Sequence, residues 1–342
     1  MKPKFPACNC LSPLFRASFA ALTVASSSAA EITYRPIATS TTNPTVNTNW
    51  VGDVLPGTGD SAYWSINSRP DIIFPSAVSW GAIRAEDATA AIVFSGSPIT
   101  LMGLSAPLYG GAAVVQGITE VRWENFTVGN NIVLGSDQTW NIGNFATGAA
   151  SATMTHNGVL SGAFNLTKVG AGTLNLNGNN SGYTRTLTIR AGTLNLSGAF
   201  GGSVAVSGGT LNLNTGVTIP SPTFSGGTLT LNAGSTVTGA ITTLGTATLN
   251  LGGAVGGTVT LGPTDTLGLR GSAITGNLIL DSNTLNRISS VTASGNIQVA
   301  GANVVNIASA AFGAPMTILS CAGTLTDTDD SDPSNNFTIG NV

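Results

Sequence analysis

The pentapeptide Gly-Thr-Leu-Asn-Leu begins at Gly172, again at Gly192 and again at Gly209. Near copies, Gly-Thr-Leu-Thr-Leu and Gly-Thr-Val-Thr-Leu, begin at Gly227 and Gly257. A segment that returns about every 17 to 20 residues is a unit that cannot bury its apolar face alone and must stack on its neighbours. Within each copy apolar and polar residues alternate, the period of a strand with one buried face. Leu174 and Leu176 are expected to point inward, and Thr173, Asn175 and Asn177 outward. The three- and four-residue spacing of a helix is missing. Gly and Asn close the short runs, as turns with positive φ require. Other short runs, such as Thr-Leu-Thr-Ile from Thr186 and Ser-Val-Ala-Val from Ser203, fall between the copies.

The expected fold is all-β, a parallel β-helix (β-solenoid) of short strands with about 17–20 residues per coil. Leu174, Leu194, Leu211 and Leu229 would form one inward column at the strand spacing of about 4.8 Å. From about Val46 onward the chain could supply roughly 15 coils, a rod on the order of 70 Å. An array of Ig-like sandwich modules would show a period near 100 residues, and none is visible.

Stacking also accounts for the scarcity of charge. Only 8% of the 342 residues are charged, against roughly 25% in ordinary domains. A column of identical charges would repel itself, whereas Thr and Asn columns bond along the stack. The 42% hydrophobic content separates the chain from disordered sequences. A net charge of -3 offers no basic surface for nucleic acid.

Residues 1–30 read as an export signal. Lys2, Lys4 and Arg16 supply positive charge, Ala17 to Val24 an apolar run, and Ser28 and Ala30 the small residues before a cleavage at Glu31. Cys8 and Cys10 fall in that leader, which leaves Cys321 as a lone thiol and no disulfide. Beyond it no apolar stretch reaches the length of a transmembrane helix. Residues 31–150 read as an irregular β-rich cap with early coils. All five Trp (Trp50, Trp64, Trp80, Trp123, Trp140) precede residue 150, and are expected to plug the open end of the apolar stack. Residues 151–342 read as regular solenoid repeats, incomplete at the C-terminus.

The stretch from Leu166 to Leu196 resembles the autotransporter-associated β-strand repeat of bacterial exported proteins. Lys168, Gly170, Gly172, Thr173, Leu174, Tyr183, Gly192, Thr193 and Leu194 carry the likeness. Arg185 departs from it, standing where the family has Gly. Asn49 to Ser65, with Trp50 and Pro-Gly-Thr-Gly-Asp, is similar to the segment that opens such proteins. The resemblance implies a right-handed β-helical passenger on or outside the cell, and no catalytic site. Self-exporting members end in a membrane barrel with aromatic girdles. After Ser225 only Phe312 and Phe337 are aromatic, so no barrel is expected within this sequence.

A β-helical enzyme acting on polysaccharide, a lyase or hydrolase, is the main alternative. Glycoside hydrolysis needs two carboxylates facing one bond, yet no Asp or Glu occurs from Gln138 to Thr264. Lys168, Arg185 and Arg190 are the cations of that span. Asp53, Asp60, Asp71, Glu86, Asp87, Glu120, Glu124 and Asp137 are scattered and read as turn and surface acids, with Asp60 capping a turn. His156 reads as an outward polar residue, and Cys321 as a small buried hydrophobe. The acidic run Asp327 to Asp332 lacks the Gly and Glu of an EF-hand loop and reads as solvated. No catalytic residue, cofactor or metal ligand is therefore assigned. The expected role is structural or adhesive, with surface polysaccharide or another cell-surface component as partner and association end to end through the last coil. A flat Thr/Asn face that binds carbohydrate or ice is a second alternative.

Overall fold

The computed structural model describes residues 29–34, 43–64, 71–86, 91–107, 113–120, 125–143, 152–287, 291–307, 318–329 and 337–339. Residues 1–28 of the expected leader, together with Asp87, Trp123, Glu124, Phe312, Asp330 and Asp332, lie outside them.

Alternation of Thr or Asn with Leu builds strands, and each turn of Gly, Asn or Ser ends one after a few residues. The described residues form 38 short strands and two 3-10 turns. One sheet orders thirteen strands, from Asp71–Phe74 through Thr153–His156 and Thr173–Leu176 to Phe337–Ile339. It carries the repeated leucines and is called here the leucine sheet. A second sheet of fifteen strands includes Ser61–Trp64, Ala82–Ala85, Gln138–Ile142, Leu166–Val169 and Thr186–Ile189. Its outward positions include Thr139, Thr167 and Thr188, and it is called the threonine sheet. Two smaller sheets hold four and six strands. Strand pairs join successive coils in parallel. The one antiparallel strand pair among the described residues is the hairpin of Leu104–Pro107 with Ala113–Glu120.

The register of the leucine sheet is that of a β-solenoid. Leu174, Leu194, Leu211, Leu229, Leu249, Leu267 and Leu285 are successive partners, and each is fully buried. Leu176, Leu196, Leu213, Leu231, Leu251 and Leu269 form a second buried column in the same strands. Removing each such side chain from water is worth about 2 kcal/mol, so the two columns supply much of the drive to stack. The outward column is satisfied along the stack. The Asn195 amide donates to Asn175 Oδ1 at 2.7 Å across 20 residues of chain, and the Asn212 amide to Asn195 Oδ1 at 2.8 Å across 17.

The leading glycine of the repeat has a steric cause. Gly192 has φ +67°, and a Cβ there would lie 2.3 Å from the Gly172 carbonyl oxygen and 2.4 Å from that of Gly170. Only glycine lets the chain turn left-handed while the next coil lies this close.

Thirteen strands in the leucine sheet are fewer than the roughly 15 coils expected. Coils before residue 160 are longer than the repeat: Asn165 caps Asp137 one coil away at a separation of 28 residues. At about 4.8 Å per rung the leucine sheet is roughly 58 Å long. In the first coils Tyr34, Trp50, Trp64, Trp80, Phe74, Phe94 and Phe126 are buried. They form one aromatic cluster with centroid separations from 4.6 to 5.7 Å. The Trp50 indole donates to the Pro44 carbonyl at 2.9 Å.

Two side chains stand differently from expectation. His156 is not outward but fully buried. It pairs in register with Leu176, at the head of the second leucine column, so strand parity turns it inward with Met154. Cys321 is only half-buried at the edge of the core, and its thiol is free.

Candidate functional site: a groove on the threonine sheet

The acids proposed as scattered turn and surface groups are held as acceptors wherever a partner is seen. Asp60 Oδ2 accepts from the Gly57 amide at 2.9 Å, which is the turn cap expected of it. Asp265, fully buried, accepts from the Ala247 amide at 2.7 Å, from the Gly262 amide at 2.8 Å and from the Thr243 hydroxyl. Asp329 Oδ2 takes the Gly301 amide at 2.7 Å. Arg84 binds two acids at once, Glu31 at 2.6 Å and Glu86 at 2.8 Å. The Tyr63 hydroxyl donates to Glu86 at 2.6 Å, and burial followed by the Glu86 charge raises its pKa. Asp71 stands exposed on an edge strand. No two of these form an open pair across a cleft, and the described residues hold no group of three metal-ligating side chains.

Two buried bases sit inside the rod. The His156 ring donates through Nε2 to the Asn130 carbonyl at 3.0 Å, and Nδ1 has no partner. Burial lowers its pKa to about 4, against the pull of that bond. The Lys168 ammonium lies under the threonine sheet, 3.0 Å from the Gly170 carbonyl, 2.9 Å from the Ala191 carbonyl and 3.4 Å from that of Val169. Burial lowers its pKa to about 7. Lys168 ties two successive turns together, and its place in the core gives it no access to a substrate.

The concave surface lies outside, on the threonine sheet. It is an open groove of about 450 Å³. Its floor is the outward column Thr139, Thr167 and Thr188, which are consecutive register partners. One side is a ladder of turn residues. Asp137 Oδ1 accepts from the Asn165 amide at 2.7 Å, Asp137 Oδ2 from Asn165 Nδ2 at 3.2 Å, and Asn165 Oδ1 from the Thr186 amide at 3.2 Å. The remaining wall is Val115 on the antiparallel hairpin.

A bulge raises that wall. Thr139 faces Gln116 and Trp140 faces Ile118, so Gly117 is the extra residue of its strand. A Cβ on Gly117 would lie 1.6 Å from Gln138 Oε1. That oxygen accepts from the Trp140 indole at 3.0 Å, while Gln138 Nε2 donates to the Leu101 carbonyl at 3.0 Å. The groove therefore has a floor and a wall fixed by buried polar contacts. The sequence reading assigned no residue to it. Asp137 and Asn165 were noted separately, but their convergence with Val115 depends on long-range register.

The chain was compared with known proteins. No curated protein and no solved structure matches it. A family model, the passenger-associated-transport-repeat, matches residues 166–196 and 191–213. The chain carries passenger-associated transport repeats. The resemblance read from Lys168, Gly170, Gly172 and Tyr183 is thereby supported, and the repeat, known from autotransporter passengers, implies export. Each of its marked positions has a structural task in this passenger repeat. Tyr183 is buried and donates to the carbonyls of Phe164 at 2.9 Å and Thr186 at 3.2 Å. Burial raises its pKa. Arg185, the departure from the repeat, is exposed and leaves the turn intact. The repeat supplies the floor positions Thr167, Thr186 and Thr188, whereas Val115 and Asp137 come from the coils before it.

Proposed function

We propose that the chain is an exported passenger rod with a structural and adhesive role at the cell surface and no catalytic one. The observation that carries this reading is how the carboxylates are used. Asp60, Asp137, Asp265 and Asp329 each cap backbone amides, and Glu31 and Glu86 are spent on Arg84. A hydrolase of sugars needs two carboxyl groups roughly 5 to 10 Å apart across an open cleft. The groove contains one, Asp137. The passenger repeat and the solenoid supply the other support, since rigid rods hold a surface away from the cell.

The experiment is display and assay of the full chain in its host. Surface protease on intact cells should remove the protein, and its deletion should lower attachment of cells to polysaccharide-coated surfaces or to one another. Incubation with plant and bacterial polysaccharides should release no reducing ends. Protection from protease, unchanged attachment, or sugar release lost on changing one early acid would each overturn the reading.

A further inference from the structure

We propose that the groove between Val115 and the Thr139–Thr167–Thr188 column binds an uncharged saccharide chain, which gives a ligand class to the adhesive role above and rests on it. The two outward columns of the rod differ in their hydrogen bonding. On the leucine sheet the amides of Asn175, Asn195 and Asn212 bond to one another along the stack. On the threonine sheet the hydroxyls of Thr139, Thr167, Thr186 and Thr188 have no hydrogen-bond partner among the described residues. A hydroxyl both donates and accepts, which is the complement of a sugar hydroxyl. The free hydroxyls repeat along the rod at the rung spacing of about 4.8 Å, an array suited to a polymer of repeating hydroxyls.

Charge narrows the class. No Lys or Arg lines the groove, and Asp137 is its one ionisable side chain. A phosphate, sulfate or uronate ligand would meet a like charge and no counter-ion. Asp137 accepts two bonds from Asn165, and a carboxylate has about four acceptor sites, so it keeps capacity for a ligand hydroxyl. Val115 and the threonine methyls supply apolar contact for the C–H face of a sugar ring. The groove is open, so it admits an internal stretch of a chain. Its volume of about 450 Å³ falls within the range of small-ligand sites, about 300 to 1,000 Å³.

The test is direct binding of the full chain to immobilised cellohexaose, maltohexaose, mannohexaose and xylohexaose, with oligogalacturonate and oligosialate as acidic probes. At least one uncharged probe should bind, and the acidic probes should not. Thr167→Lys fills the floor with a long cation and should weaken uncharged binding about tenfold or more, a change of about 1.4 kcal/mol. Thr242→Lys, at an exposed position of the same sheet outside the groove, should leave it unchanged. Asp137→Asn keeps the acceptor for the Asn165 amide, so the fold should stand while binding of acidic probes rises. Melting curves of all three variants guard against misfolding. No binding of any uncharged probe at about 1 mM, equal binding of acidic probes, or equal loss in Thr167→Lys and Thr242→Lys would overturn the groove. If cells carrying Thr167→Lys still attach as wild type does, the groove fails while the adhesive reading stands. If wild-type cells do not attach at all, the adhesive reading itself fails.

Discussion

Asn195 stands between Asn175 and Asn212, donating to the first at 2.7 Å and accepting from the second at 2.8 Å. One residue before it, Leu194 is fully buried between Leu174 and Leu211. Adjacent residues thus serve an apolar column and a polar ladder, and they should respond differently to substitution.

Leu194→Ala should cost about 2 to 5 kcal/mol, because the coils above and below hold the cavity open. Leu194→Asp should cost more, since it buries a carboxylate without a partner. Asn195→Asp loses the donor to Asn175 but stays half-exposed, and should cost about 1 to 2 kcal/mol. Urea unfolding midpoints of the three variants check the order, and equal tolerance would refute the inward and outward assignments.

Glycines of the repeat should divide by their surroundings. Gly192→Ala forces a Cβ against two carbonyl oxygens at a left-handed φ, and should lower the melting temperature sharply. Gly182→Ala meets nothing within 4 Å and no left-handed φ is required there. It should be neutral or stabilise by up to about 1 kcal/mol through the unfolded chain. A calorimetric comparison of the two variants decides it.

Acid should weaken the early coils through His156. Its folded pKa is lowered to about 4 by burial, below the unfolded value of about 6.5. Between those values the unfolded chain binds the proton and the folded chain does not, so stability falls as pH drops from 6.5 to 4. Above 6.5 the contribution is constant. Melting temperature against pH should show this slope, and His156→Gln, which retains a donor for the Asn130 carbonyl, should flatten it.

Lys168 should act in the opposite part of the scale. Its folded pKa is lowered to about 7, while the unfolded value is about 10.4. Stability should rise between those values as the unfolded chain alone holds the extra proton. Lys168→Met should remove that dependence. It should also cost about 1 to 3 kcal/mol at neutral pH, because the Gly170 and Ala191 carbonyls lose their donor. The check is the same titration of melting temperature, extended to pH 10.

The leucine columns were legible because two periods coincide, alternation within Thr173–Leu176 and the return of that strand 17 to 20 residues later. His156 was misread through its polarity. Its parity with Met154 already placed it inward, and the column of Leu176 confirms that placement. The buried state of Lys168 was open to the same argument, since it shares its face with Leu166. The groove was not legible. Its wall depends on a hairpin and a bulge at Gly117, and neither leaves a periodic signal in the sequence.

Strands Thr193–Leu196 and Thr210–Leu213 have the same sequence and occupy adjacent rungs in matching register, 17 residues apart. Unequal recombination between the two stretches of gene that encode them would insert or delete one whole coil. The new junction would be chemically identical to the old one, with the same leucines inside and the same asparagines outside. The reach of such a rod is therefore a heritable length that can change in single steps of about 4.8 Å, without any intermediate that fails to fold.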